Sequence, residues 1–394
     1  MSEAAATTPA PGKARTPWVT ALGITAPATA YVILLLKVET QAWIIAMVGL
    51  GVAATMWGAW SGVLTKASHA INEHERLASF CVVLAAVAVT AVFHDDHFAL
   101  LLVATIVLYV LATLGLSIQF GYAGVVNFAG ASFFGIGGYT AAVLAMHTGL
   151  PHLLILLSGG LMAAFIGAFL LYPVLRTRGH YAAVITIAFA LLFKTFLEVN
   201  DVLGGPQGLK LKGFEILGWR FNKSFELFGY NLSFYVNYVS LGLLMLVGAF
   251  VLVRRLERSW IGLNLDAIRL DETASACFGL AIARWKITAF VLGNFLIGLA
   301  GALHGMMTGI VAPTSFTFGD SLILVSILLL GGIGNAWALV LATAIVIIIP
   351  EKLQAIQEYR FLLYAALVML MLLFRPDGLL PRAVRTYFPG SERS

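Results

Sequence analysis

The chain has 394 residues, of which 60% are hydrophobic and only 11% are charged, against about 25% charged residues in a typical soluble domain. The mean hydropathy of +0.93 excludes an ordinary soluble domain, and the continuous apolar runs exclude a β-barrel, whose strands alternate apolar and polar residues. The net charge of +5 fits the Lys and Arg excess on the cytoplasmic side of membrane proteins, so it does not indicate nucleic acid binding.

Apolar runs of membrane-spanning length recur along the chain after a small-residue, Pro-containing tail, residues 1–17, which we expect to be disordered. The runs lie near 18–36, 42–63, 77–93, 98–118, 122–146, 152–175, 181–198, 233–253, 287–309, 320–331, 335–350 and 360–374. We expect some to be broken or re-entrant. The predicted fold is an all-α, polytopic transmembrane helical bundle with about 10–12 membrane segments.

The distribution of positive charge predicts that both termini lie in the cytoplasm. With the N-terminus inside, about two thirds of the 24 Lys and Arg residues fall in cytoplasmic segments. This orientation places residues 254–286 inside and residues 199–232 outside. In the outer segment, FEILGWRF and FELFGY predict short strands or loops that lie on the surface, with docking of an external partner as an alternative.

Two glycine-rich stretches interrupt the apolar pattern. Residues 120–144 contain six glycines and residues 328–340 contain three. Glycine lets transmembrane helices approach closely, and it also permits a break where the backbone is buried or lines a cavity. For the first stretch both helix packing and a pathway lining remain open, and the second favours a turn.

Few side chains suggest a catalytic, nucleotide-binding or metal-binding site. The sequence contains no G-x-x-x-x-G-K-[ST] loop and no H-E-x-x-H, C-x-x-C or G-x-S-x-G motif. The residues FHDDHF, 93–98, are of metal-binding type but too close together to face one centre, which favours a solvated loop. Lys194 and Glu198 are spaced to pair on one helix face, and Cys81 and Cys277 do not suggest a disulfide framework.

Charged residues concentrate in LDAIRLDETASACFGLAIARWK, residues 265–286. We predict a short cytoplasmic helix that Asp266 caps and Gly279 ends. Its charged face and small residues suit docking of a polar partner, and an ordinary surface helix is the alternative.

Several phrases, in order along the chain, resemble the LivM-type permease family of ABC importers for branched-chain amino acids. AIRLDETASACFGL resembles that family's cytoplasmic coupling phrase, although the Glu of the more general E-A-A pattern is displaced by one position. GYAGVVNFAGASFFGIGGYTAAVL resembles its glycine-rich segment, with Asn127 where a small residue is common. The other matching phrases are LRTRGHYAAVITIAFA, with His180 in place of an Asp, then GGPQGL, VAPTSFTFGDSLILVSILLLGGIGN and RPDGLLP.

The resemblance implies a transport permease, not an enzyme, in a bacterial inner membrane. It implies a homologous second permease subunit (LivH type), two ATPase subunits that bind ATP and Mg²⁺, and a periplasmic substrate-binding protein. This chain would hold no cofactor and no metal. Residues 18–93 would be extra transmembrane helices, residues 94–381 the permease core, and residues 382–394 a cytoplasmic tail.

The motif matches also imply two sets of site residues and no catalytic residue. Coupling to an ATPase is expected at Arg269, Asp271, Glu272 and Gly279. The substrate pathway is expected at Gly121, Tyr122, Gly124, Asn127, Gly135, Gly137, Gly138 and Tyr139. Two alternatives stay open: a permease of the same family for urea or short-chain amides, and an ion-coupled secondary transporter.

Overall fold

The computed structural model describes residues 17–51, 75–175 and 181–352 and isolated positions from 359 to 379, with gaps at 39, 42, 45, 48, 212, 217 and 228–229. The helices, numbered in chain order, are α1 Pro17–Lys37, α2 Glu75–Val92, α3 His97–Ser117, α4 Gly130–His147, α5 His152–Leu175, α6 Tyr181–Val199, α7 Tyr235–Glu257, α8 Trp260–Leu270, α9 Glu272–Cys277, α10 Ile282–Thr308, α11 Phe318–Gly331 and α12 Ala336–Lys352. The predicted helical bundle is confirmed.

Membrane-spanning length is evident in much of this bundle. Within the described ranges, six segments are long and apolar enough to cross a membrane: His97–Tyr122, His152–Leu175, Tyr181–Val199, Tyr235–Glu257, Ile282–Thr308 and Pro313–Gly331. Four further apolar helices, α1, α2, α4 and α12, are 17 to 21 residues long. The predicted runs 42–63 and 360–374, and both tails, lie largely or wholly outside the described residues, so the exact number of spans and the division into domains stay predictions.

Short strands form small antiparallel pairs at one end of the bundle. They are β1 Leu209–Lys210, β2 Glu215–Ile216, β3 Trp219–Arg220, β4 Phe225–Leu227, β5 Tyr230–Leu232 and β6 Ile310–Val311. The pairs are β1–β6, β2–β3 and β4–β5, with Leu209 opposite Val311 in the first. The strands predicted from FEILGWRF and FELFGY are therefore confirmed.

The helix α10 lies at the centre of the bundle and packs against α3, α4 and α5. Glycines allow these close crossings: a Cβ added at Gly137 of α4 would collide with the backbone of Gly298 of α10. A Cβ added at Gly301 of α10 would likewise collide with the backbone carbonyl of Phe134 of α4. In lipid, small residues at helix crossings let the backbones gain van der Waals contact, so the α4 glycines have a packing function.

The loops divide between two opposite ends of the bundle. The loop before α3 contacts the loop before α7, since the Ser233 amide donates to the His94 carbonyl at 3.1 Å. The pairing of β1 with β6 adds the loop after α10 to this end. The 23 residues of α7 are roughly 35 Å long at 1.5 Å per residue, and they separate this end from α8 and α9. Residues 199–232 and 254–286 therefore lie at opposite ends of the bundle.

Helix starts follow local capping chemistry. Asp96 accepts from the amides of Phe98 and Ala99 at the start of α3, and Thr317 and Asp320 form a reciprocal capping box on α11. Such caps satisfy amide groups that have no partner inside the helix. The turn predicted in the second glycine-rich stretch is confirmed, with Gly332 and Gly334 at φ of 110° and 88°.

Candidate functional site

A break separates α3 from α4 inside the bundle. After Ser117, α3 continues as a π-helix, Ile118–Tyr122. Residues 123–129, here called the helix break, then run without helical structure to Gly130. Gly124 has a φ of +65°, a conformation that glycine adopts without steric cost. A break in the helix, which the glycines of this stretch permit, is therefore present, and α4 also packs closely; the pathway lining that the sequence left open stays a prediction.

Three buried amide side chains hold the helix break against α10. Gln119 Nε2 donates to the Phe290 carbonyl at 3.2 Å and to Asn294 Oδ1 at 3.0 Å. Asn127 Nδ2 donates to Gln119 Oε1 at 2.7 Å, and Asn127 Oδ1 accepts from the Ala129 amide at 2.9 Å. All three amide side chains are fully buried, so Gln119, Asn127 and Asn294 form one polar network.

Hydroxyl groups from two other helices satisfy further backbone amides at this place. Thr186 of α6 accepts from the Phe128 amide at 3.1 Å, and Ser321 of α11 accepts from the Ala131 amide at 3.0 Å. Non-helical backbone at membrane depth requires such partners because lipid supplies none. The π-helix, α6, α10 and α11 thus fix the helix break and the start of α4.

The helix break lies well inside the length of α10. Phe290 and Asn294 are the ninth and thirteenth residues of that helix. At 1.5 Å per residue they are roughly 12 to 18 Å from its first residue. The network therefore lies deeper than the α8–α9 end of the bundle.

The charged stretch forms two helices rather than one. Ser259 caps α8, and the chain bends at Asp271, whose carboxylate accepts from the amides of Thr273 and Ala274 at 2.8 and 3.0 Å and so caps α9. The predicted cap at Asp266 is wrong, because helical structure already begins at Trp260. The predicted stop at Gly279 is confirmed by its φ of +81°.

Arg269 connects the α8–α9 pair to the helix break. Its Nη1 donates to the Gly121 carbonyl at 2.8 Å. A Cβ added at Gly124 would lie 3.7 Å from Arg269 Cγ, so the arginine stem passes directly beside the break. The structure thus brings together residues that the sequence assigned to two separate roles, ATPase coupling and substrate pathway.

The remaining predicted coupling residues have internal partners. Glu272 Oε1 lies 2.5 Å from Lys286 Nζ, which joins α9 to the start of α10. The Asp271 carboxylate is engaged as the α9 cap. These contacts stabilise the shape of the loop, and whether the same residues also contact an ATPase stays a prediction.

Two residues that sequence analysis missed present the most exposed apolar surface here. Leu270 is 86% exposed and Phe278 is 89% exposed, and they flank the six residues of α9. Exposed apolar side chains scattered singly are ordinary, but these two occur beside one short helix in a charged loop. Their apolar character within the charged phrase was the signal available in the sequence.

The predicted pathway residues fall into two groups. Gly121, Tyr122, Gly124 and Asn127 belong to the helix break or the π-helix before it, whereas Gly135, Gly137, Gly138 and Tyr139 lie on α4. Gly135 faces the Phe316 ring, with an added Cβ 2.8 Å from its Cγ. The Tyr139 hydroxyl is buried and has no hydrogen-bond partner among the described residues. A pathway through these residues stays a prediction.

Sequence analysis also missed Gln119, Asn294, Thr186 and Ser321. Three of these polar side chains lie within predicted apolar runs, and Gln119 lies between two of them, where the structure continues the helix rather than forming a loop. They were a usable signal, because polar groups in a membrane helix require partners. Which groups pair with which could not be known, since Gln119 and Asn294 are 175 positions apart.

The other polar candidates have local structural roles. His94 pairs with Asp95 at 3.0 Å, and Lys194 pairs with Glu198 at 3.3 Å as predicted. Over the described ranges, no three His, Cys, Asp or Glu side chains are placed to hold a metal ion. Both cysteines are free, with Cys81 buried and Cys277 exposed.

The broken, glycine-packed helical bundle, with the α8–α9 pair at one end, is that of a polytopic helical membrane protein. The family described as "Branched-chain amino acid transport system / permease component" matches residues 98–374, and the chain belongs to this family. It is therefore a component of a transport system rather than an enzyme.

Relatives among curated proteins agree with this assignment. The chain is 34% identical over 316 residues to the high-affinity branched-chain amino acid transport system permease protein LivM of Escherichia coli, covering 77% of this chain and 74% of that protein. It is 24% identical over 324 residues to the probable branched-chain amino acid transport permease protein LivM of Methanocaldococcus jannaschii, covering 70% and 90%. No solved structure matches the chain significantly.

Proposed function

We propose that this chain is a transmembrane permease subunit of a bacterial ABC importer that moves branched-chain amino acids across the inner membrane. Its membership in the branched-chain amino acid permease family carries the proposal. The 34% identity to a LivM protein across most of both chains supports the same substrate class. In this proposal the chain works with a second permease, two ATPases and a periplasmic substrate-binding protein, and the ATPases bind ATP and Mg²⁺.

The α8–α9 pair is the proposed docking element for one ATPase. Leu270 and Phe278 project from either end of α9, and exposed apolar anchors within a polar rim are typical of protein interfaces. A lipid contact does not suit this place, because the exposed acidic residues Asp271 and Glu272 lie between the two anchors. ATP binding would move the docked pair, and that movement would open the substrate pathway.

The transport experiment uses the assembled complex in proteoliposomes. We expect uptake of radiolabelled leucine that requires ATP and the binding protein. Uptake of urea without leucine would replace the substrate assignment with the amide alternative. Uptake driven by an ion gradient in vesicles that contain this chain without ATPases would overturn the importer assignment.

Docking is tested by copurification of the ATPase. Phe278→Glu places a charge at the proposed contact, and we expect ATPase recovery to fall about tenfold or more, as for the loss of an interface anchor. Val202→Glu is the matched control, since Val202 is 84% exposed at the opposite end of the bundle. Equal ATPase recovery for both variants would exclude Phe278 from the docking surface.

Cysteine labelling tests the proposed orientation. Cys277 is exposed on α9 and Cys81 is buried, so a maleimide is expected to modify Cys277 alone. A membrane-impermeant maleimide should label inverted vesicles and leave intact spheroplasts unlabelled. Labelling of intact spheroplasts would place α9 outside and contradict the proposal.

A further inference from the structure

We propose that Arg269 is a positioning residue that transmits movement of the α8–α9 pair to the helix break through the Gly121 carbonyl. This inference rests on the proposed function for its transport consequence. The hydrogen bond of 2.8 Å between Arg269 Nη1 and Gly121 O carries it. The contact joins two elements that are 148 positions apart in the chain.

The hydrogen bond between Arg269 and the Gly121 carbonyl is stronger than an ordinary one for two reasons. A guanidinium donor makes a charge-assisted hydrogen bond, which is stronger than a bond between neutral groups. The Gly121 carbonyl lies in the π-helix at the C-terminal end of α3, where the helix dipole favours a positive charge. Arg269 therefore stabilises the π-helix in two ways: by a hydrogen bond to one of its carbonyls and by the favourable interaction of its positive charge with the helix dipole.

Glycines allow close packing around the contact between Arg269 and Gly121. Gly121 lies against the turn between α11 and α12, where an added Cβ would be 2.8 Å from Gly334 Cα. Gly124 lies beside the stem of Arg269, with 3.7 Å between an added Cβ and Cγ. The backbones of Gly121 and Gly334 therefore lie in direct contact, and a displacement of α8 reaches the helix break through the Arg269 side chain.

The neighbouring residue faces the other way. Leu270 is 86% exposed, whereas Arg269, which is also an exposed residue, extends its guanidinium group to the Gly121 carbonyl. Adjacent positions of one short helix thus serve the docking surface and the internal contact. An ATPase that binds Leu270 would displace Arg269 when it moves. Arg269 would in turn displace the π-helix, which carries Gln119 of the amide network.

The test compares three variants in the full complex. Arg269→Gln removes the charge and shortens the side chain, and Arg269→Lys keeps a cationic donor. Arg284→Gln is the control, since it removes a charge from an exposed arginine in the first turn of α10, at the same end of the bundle. Two quantities are measured: leucine taken up per ATP hydrolysed, and hydrogen exchange of the peptide covering residues 118–129.

For Arg269→Gln we expect uptake per ATP to fall about tenfold, the effect of losing one hydrogen bond to a charged group, with ATP hydrolysis retained. We also expect faster exchange in 118–129, where the Val125 amide now donates to the Gln119 carbonyl at 2.9 Å. Arg269→Lys should recover part of both, and Arg284→Gln should match the wild type.

Two results would overturn the inference. Unchanged exchange in Arg269→Gln would show that the bond does not hold the helix break, and equal losses in Arg269→Gln and Arg284→Gln would show a general charge effect. The exchange measurement needs no substrate, so it remains decisive if the wild-type complex fails to transport leucine. That failure would count against the proposed function and not against this contact.

Discussion

Glu272 and Lys286 join α9 to α10 by an ion pair in which Oε1 and Nζ are 2.5 Å apart. The Lys286 side chain is only 14% exposed, whereas Glu272 is 56% exposed. The pair therefore links the proposed docking helix to the central helix of the bundle. It also gives Glu272 an internal partner that its place in the charged phrase did not reveal.

Reversal of this ion pair gives the first prediction. Glu272→Lys should lower ATP-driven uptake about two- to fivefold, the range that a partly exposed ion pair of up to about 1 kcal/mol supports. The exchanged pair Glu272→Lys with Lys286→Glu should recover most of the loss. Initial uptake rates in proteoliposomes measure both, and a double variant as slow as the single one would show that Glu272 acts through another contact.

Gly279 gives the second prediction. Its φ of +81° is closed to proline, and its amide donates to the Ala276 carbonyl at 2.9 Å, a bond that proline cannot make. Gly279→Pro should abolish uptake while the protein still inserts into the membrane, as measured by transport and by membrane fractionation.

Gly279→Asn is the matched control, because asparagine tolerates the left-handed conformation better than other residues and no atom lies within 4 Å of an added Cβ. We expect Gly279→Asn to keep most uptake. Equal loss in the two variants would mean that a side chain at this position blocks docking, rather than that the turn has been lost.

The crossing of α4 and α10 gives the third prediction. Gly137→Ala places a methyl group against the Gly298 backbone, and overpacking of this kind costs about 1–3 kcal/mol. The melting temperature of the detergent-solubilised protein should fall. Gly248→Ala on α7 is the control, since nothing lies within 4 Å of its added Cβ. A Gly137→Ala protein as stable as Gly248→Ala would exclude a tight crossing.

The amide network gives the fourth prediction. Asn127→Ala removes the donor to Gln119 and the acceptor for the Ala129 amide, and a buried polar group without its partner costs about 1–3 kcal/mol. We expect a lower melting temperature and faster exchange in residues 118–129. Asn231→Ala, at an exposed position on β5, should leave both unchanged. Normal stability of Asn127→Ala would show that water or another group replaces the amide.

Sequence analysis anticipated the local features well because local chemistry decides them. Gly279 ends α9 since glycine adopts a positive φ without strain, and the pairing of Lys194 with Glu198 follows from their spacing on one helix. The prediction for Asp266 failed because Ser259 offered an earlier cap and Asp271 a later one. Spacing alone does not determine which of several capping residues, within and before the charged stretch, starts a helix.

The sequence by itself determined that this protein is a bundle of membrane helices. A helix pairs its own backbone groups in lipid, and its apolar side chains must span the hydrocarbon core, so each helix appears as a long apolar run. It also determined the family, through phrases distributed along the chain. Only the tertiary structure decided that Arg269 reaches Gly121 and that Gln119, Asn127 and Asn294 form one network. These contacts join helices distant in the chain, and close helix packing rather than sequence spacing determines which polar groups meet.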